Sequence, residues 1–282
     1  MRVLASVPIT YEVQDGGTTH APMANARVGR VEARLVLDTG SEVHLLTEDL
    51  VDELGLAKAA GEEGIDHSGA TMPSWNVGEV EMELGELDVV LKEVVAIPAP
   101  QAFQDKGIRG ILSPHNLHPT AMTVIDMARG ELLLVEGTDA EIADFLRSRS
   151  PTLTLLTLPR DASFPSVVVP ASIAGFAEMP TLLNTGGKGT EFSSSAVPGL
   201  EVGAKERLGG GVSGADYTGG SVGPQTLLVS GNRVPIQDLR VRESMHDPQG
   251  MVGMDVLGGT VLACAADLRR PVYWLVRSTH DV

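Results

Sequence analysis

Residues 77–84 alternate in character. Val80, Met82 and Leu84 fall on one side and Glu79, Glu81 and Glu83 on the other, the period-two pattern of a half-buried strand. Two further stretches, residues 25–37 and 171–183, run through apolar positions with a turn glycine inside them, Gly29 in one and Gly175 in the other. Each predicts a hairpin whose second strand ends on a polar turn. Helical signals are few and short. Residues 47–55 predict a capped helical turn ending at Gly55, and residues 138–147, with acids early and arginine late, predict a helix. Residues 151–158 then return to a strand pattern.

The pattern repeats. Leu35-Val36-Leu37-Asp38-Thr39-Gly40-Ser41 is matched by Thr181-Leu182-Leu183-Asn184-Thr185-Gly186-Gly187. Each phrase is followed after about thirty residues by Ser-Gly-Ala, at Ser68-Gly69-Ala70 and Ser213-Gly214-Ala215. A Gly-x-x-Gly follows each phrase after roughly seventy residues, at Gly107/Gly110 and Gly250/Gly253. Each copy closes with Asp-x-x-Arg before a last apolar strand, at Asp126/Arg129 and Asp267/Arg270. Landmarks in one order at near-equal spacing predict a duplicated unit. The lobes are expected at residues 1–150 and 151–282, both mainly β with short helices.

Composition narrows the choice. Thirty-two glycines and seventeen prolines favour a turn-rich, stranded fold, and the 43% hydrophobic fraction supplies a core. The net charge of −16, from 37 acidic and 21 basic residues, opposes a phosphate backbone or an anionic membrane surface. A single cysteine, Cys264, allows no intrachain disulfide and sits in an apolar run, which reads as core packing. Pro8 arrives too early for a secretory signal, and no eighteen-residue apolar stretch occurs. A cytoplasmic chain is the expectation.

Paired apolar-apolar-Asp-Thr-Gly turns with matched flanks resemble the aspartic peptidases of the pepsin and retropepsin clan. The resemblance implies two pseudo-twofold-related retropepsin-like acid-protease lobes in a single-chain, bilobal form, needing no second copy. It implies peptide or protein substrate in the cleft between lobes, no cofactor and no metal. Asp38 and residue 184 would be the catalytic pair, with one shared proton and an activated water between them. Thr39 and Thr185 would bond across the interface, Gly40 and Gly186 would admit close approach to the acids, and Ser41 would hydrogen-bond Asp38. Two flaps would cover the cleft, beginning at Ser68-Gly69-Ala70 and Ser213-Gly214-Ala215, with tips near residues 72–75 and 216–219. That gives Trp75 and Tyr217 to substrate binding.

Asn184 departs from the pattern. An amide donates a hydrogen bond but cannot relay a proton, so the chain as written is expected to be inactive or strongly impaired. Asn is the isosteric replacement for Asp, and Thr185, Gly186 and residues 250–255 are otherwise intact. An engineered Asp-to-Asn form of an active peptidase is one reading; a natural pseudo-protease acting as a peptide-binding or regulatory scaffold is the other. Arg109 stands where the second copy has Val252. His115 and His118 have a metal-like spacing without a third ligand, and His44 is expected to pack beside the site rather than act in it. The glycines of residues 209–214 imitate a dinucleotide fingerprint but lack the preceding strand it requires.

Overall fold

The alternation at residues 77–84 becomes strand Trp75–Leu84, with Val80, Met82 and Leu84 buried. It turns through Gly85 and pairs antiparallel with Leu87–Ile97. The computed structural model describes residues 1–11, 21–243 and 245–277, and the backbone of 279–280. Among these residues the architecture is mainly β, with four short α-helices. Among the described residues no helix is long and apolar enough to cross a membrane.

In the first half, Met23–Val28 and Val31–Leu37 form the expected hairpin at Gly29, whose φ is +54°. Val31–Leu37 runs parallel to Ile108–Leu112, which is antiparallel to Leu45–Thr47, itself parallel to Leu87–Ile97. Trp75–Leu84 returns to Met23–Val28 and closes a six-stranded barrel. Leu35, Leu37, Leu46, Leu84, Leu91 and Leu112 fill it, each fully buried. Burying a leucine side chain stabilises by about 1.5–3 kcal/mol, so this interior fixes the strand that ends at Asp38.

The second half contains a barrel with the same connectivity. Val168–Ile173 pairs antiparallel with Met179–Leu183, which is parallel to Gly250–Val252. Gly250–Val252 is antiparallel to Glu191–Ser193, and that short strand is parallel to Asn232–Arg242. Asp216–Val229 bonds both Asn232–Arg242 and Val168–Ile173, closing the ring. Ile173, Leu183, Phe192, Leu227, Val234 and Val252 lie within its core.

The halves are joined by sheet. Met122–Asp126 pairs antiparallel with Val261–Ala265, with Val124 opposite Ala263. Glu131–Glu136 and Arg2–Thr10 extend one side, and Val272–Val276 and Thr154–Leu158 extend the other. Helix Asp139–Arg149 packs Ile142 and Leu146 on this sheet. Its Thr138 and Glu141 form a reciprocal capping box, the start that the acid-then-arginine pattern predicts. Helix Glu48–Leu54 ends on left-handed Gly55, as expected, but Thr47 does not cap it. The Thr47 hydroxyl donates instead to the Arg109 carbonyl, 3.1 Å away, because the neighbouring strand offers a closer acceptor. Arg109 in turn reaches Glu53 and Asp49 on that helix, at 2.9 and 3.2 Å.

Candidate active site

Asp38 and Asn184 each leave the end of a buried strand on the same backbone pattern. The Asp38 N–H donates to Leu112 and the Asn184 N–H to Val252, both at 2.9 Å. Two residues on, the Gly40 N–H donates to Asp38 Oδ1 and the Gly186 N–H to Asn184 Oδ1, both at 2.8 Å. Between them the threonines cross over. Thr39 Oγ1 donates to the Leu183 carbonyl (2.5 Å) and accepts from the Thr185 N–H (3.0 Å). Thr185 Oγ1 donates to the Leu37 carbonyl (2.7 Å) and accepts from the Thr39 N–H (3.1 Å). Both threonines are fully buried. Four bonds thus bind two turns that lie 146 residues apart in sequence.

The same crossing puts each polar side chain against the other turn's glycine. A Cβ on Gly186 would collide with the carboxyl group of Asp38, and a Cβ on Gly40 would lie 2.9 Å from the Asn184 amide. Only glycine leaves that space at either position. Each polar side chain is therefore seated against the opposite turn.

Burial raises the Asp38 carboxyl above its ordinary value. The Gly40 N–H, the field of His67, and the N–H groups of Gly186 and Ser41 oppose that rise. Its neighbour Asn184 carries no charge, so desolvation, not repulsion between two carboxylates, sets the direction. Asn184 Nδ2 points at Met251 Sδ, 3.1 Å away, a weak acceptor. Ser41 does not serve Asp38 with its hydroxyl as expected. That group donates to the Val43 carbonyl at 2.7 Å, which lies within its own loop.

His44 is buried behind the first turn, where Nδ1 accepts from the Ser113 N–H at 3.2 Å. Burial pushes its imidazole down to about 4. The position at the same offset in the second half is Thr190, whose hydroxyl and N–H both donate to Asp255. His115 lies in the short 3₁₀ turn Pro114–Asn116, and His118 accepts backbone N–H groups from Thr120 and Ala121. Among the described residues no three His, Cys, Asp or Glu side chains are grouped to hold a metal ion. Burial pushes the Cys264 thiol up to about 12, which leaves it inert.

Two hairpins meet over this floor. One pairs Gly64–Ile65 with Thr71–Met72, and the other pairs Glu206–Gly210 with the start of Asp216–Val229. Ser68-Gly69-Ala70 and Ser213-Gly214-Ala215 lie within the turns at residues 66–70 and 211–215, so the tips precede the expected residues 72–75 and 216–219. The turns need positive φ, and Gly69 and Gly214 supply it at +88° and +84°. Trp75 is not brought to the site. It begins the barrel strand opposite Ala60, with the Lys58 ammonium 5.6 Å from its ring.

The hairpins are joined through Ser68, Ser213 and Tyr217, already singled out in the sequence, and through residues the repeat does not mark: Asp66, His67, Glu191 and Arg242. Asp66 accepts from the Ser68 N–H and hydroxyl and, across the halves, from the Ser213 N–H at 2.8 Å. His67 Nε2 lies 2.9 Å from Arg242 Nη1 and 3.3 Å from Glu191 Oε2, and Arg242 also donates to the His67 carbonyl. Tyr217 donates to Glu191 Oε1 at 3.2 Å, and its ring stacks 4.2 Å from the Arg242 guanidinium carbon. A signal for Glu191 exists: an acid seven residues after Asn184, where Leu45 stands seven after Asp38.

Residues 24–113 match the sequence profile of a family described as Aspartyl protease. No curated protein matches the chain.

Proposed function

We propose that this chain, which belongs through residues 24–113 to the aspartyl protease family, is a single-chain aspartic endopeptidase framework disabled at its second acid. Residues 1–150 and 151–282 are its two lobes, related by a pseudo-twofold axis between Thr39 and Thr185. The matching strand connectivity of the two barrels supports that division. A peptide lies extended between the lobes, beneath hairpin turns 66–70 and 211–215. Its backbone pairs with their strand edges. One chain supplies both turns, so a monomer suffices.

The reciprocal seating of Asp38 against Gly186 and Asn184 against Gly40 carries this reading. Peptide hydrolysis on such a floor needs two proton transfers. The ionised acid takes a proton from water as the oxygen attacks the carbonyl carbon. The protonated acid hydrogen-bonds the carbonyl oxygen and supports the oxyanion. The departing amine then takes a proton from the pair. Asp38 can accept the first proton. The Asn184 amide can donate a hydrogen bond to the oxyanion but cannot surrender a proton and recover it, so turnover stalls.

Asn184→Asp tests this on an unstructured protein substrate between pH 4 and 8. Cleavage should rise by at least a hundredfold over the unaltered chain, the scale of an acid–base group, and Asp38→Asn in that background should abolish it. A second reading, a peptide-binding scaffold, is favoured by the bonding of the amide, with Oδ1 on the Gly186 N–H and Nδ2 on Met251 Sδ. Peptide binding without cleavage in the Asn184→Asp variant would select the scaffold.

A further inference from the structure

The side chain at the centre of the hairpin junction meets a buried donor and a buried acceptor with one nitrogen. Glu191 and Arg242 belong to the second half and are 1% and 6% exposed. Their closest charged atoms are 3.6 Å apart, and Tyr217 covers them with its hydroxyl on Glu191 and its ring on Arg242. They adjoin the candidate catalytic floor: Glu191 pairs across strands with Met251, whose sulfur touches the Asn184 amide. From the first half, His67 reaches this point.

His67 presents a single nitrogen, Nε2, to both Arg242 Nη1 and Glu191 Oε2. Arg242 can only donate and Glu191 can only accept. An imidazole nitrogen either accepts or carries a proton, so in each protonation state it serves only one of the two, and the other is left to its remaining partner, the His67 carbonyl for Arg242 or the Tyr217 hydroxyl for Glu191. A primary carboxamide has both functions on separate atoms. Its oxygen can accept from Arg242 while its NH₂ donates to Glu191. The Arg242–Glu191 pair is neutral overall, so an uncharged guest avoids the cost of burying a further charge. Arg242 already bonds a backbone carbonyl, that of His67, and a bound peptide offers the same group.

We propose that Glu191 and Arg242, roofed by Tyr217, form a side-chain recognition site for a carboxamide, so that the chain selects peptides presenting Gln or Asn beside residue 184. In the closed arrangement His67 is the resident occupant of that site. A peptide enters by displacing it. This rests on the peptide-binding reading above and adds the substrate class.

The unaltered chain allows binding to be measured without hydrolysis. Fluorescein-labelled octapeptides carrying Gln, Asn, Leu, Glu or Lys at each position in turn are titrated by fluorescence polarisation. Gln or Asn should bind at least tenfold tighter than Leu, Glu and Lys at one position. His67→Ala, which vacates the site, should tighten the best peptide at least threefold, whereas His67→Gln, which places a carboxamide on the hairpin, should weaken it. A merely structural histidine would move both in the same direction. Exchanging the ion pair, Glu191→Leu with Arg242→Met, should turn the preference to Leu; the scan on the unaltered chain decides the matter if that variant does not fold. Peptides that bind with no Gln or Asn preference would overturn this inference and leave the peptide-binding reading standing. No binding by any peptide, together with no cleavage by Asn184→Asp, would overturn both.

Discussion

Thr39→Val is the sharpest structural perturbation, because it changes almost no volume and removes one hydroxyl from the junction. That hydroxyl donates to the Leu183 carbonyl and accepts from the Thr185 N–H, in a site closed to water. Valine leaves both backbone groups buried without a partner, and each costs about 1–3 kcal/mol, so the variant should lose about 2–6 kcal/mol. Thr185→Val strands the Leu37 carbonyl and the Thr39 N–H and should cost the same. The bonds removed by the two substitutions are distinct, apart from the 3.3 Å contact between the hydroxyls. The double variant should therefore fall slightly short of the sum. Urea unfolding followed by tryptophan fluorescence reads this directly, since Trp274 is fully buried in the joining sheet. With a slope of about 3 kcal/mol per molar urea, the midpoint should fall by about 0.7–2 M. Thr152→Val, at an exposed position, serves as control and should stay within about 0.5 kcal/mol. A Thr39→Val midpoint no lower than that of the control would refute the idea that these crossed bonds hold the halves together.

Two pH predictions follow from buried groups. Asp38 is raised in the folded chain, so between the ordinary carboxylate value of about 3.9 and its raised value the folded state holds the extra proton. Its contribution is thus present at low pH and is lost as pH rises. Asp38→Asn should raise the melting temperature at pH 7 and leave it nearly unchanged at pH 3. His44 is displaced the other way, down to about 4, so the unfolded chain holds more protons between about 6.5 and about 4 and stability falls as pH falls through that window. About 3 kcal/mol is at stake, and His44→Gln should flatten the acid side of a stability–pH profile measured by urea unfolding.

The two polar turns are legible in the sequence because their requirements are local. An apolar strand must end, a side chain must meet the backbone N–H two residues on, and a glycine must leave room. Nearly every feature of that kind stands where the repeat puts it. The hairpin tips shift because Asp66 begins the first turn, binding Ser68 two residues on, and Ser-Gly-Ala completes the turn rather than preceding it. Ser41 follows the nearest carbonyl instead of the carboxylate. Trp75 lies only a few residues past the tip, yet the strand carries it onto the barrel. The cluster of His67, Glu191 and Arg242 joins positions as much as 175 residues apart, and no spacing rule connects them. Charged residues in a stretch otherwise given to packing, such as Glu191 next to Phe192, are the visible trace of such a junction.

The ladder between Met122–Asp126 and Val261–Ala265 limits how this chain can be divided. All ten residues of those two strands are buried, and each strand has its other edge already occupied. Cutting the protein at residue 150 would strip one half of its neighbour and leave a bare apolar edge, the kind that recruits any compatible strand in solution. Since Val124 sits at the midpoint of its ladder, a second copy of the same fragment could dock there in antiparallel fashion. An isolated half is thus poised to self-associate or precipitate, and the intact polypeptide avoids this by carrying its own counterpart.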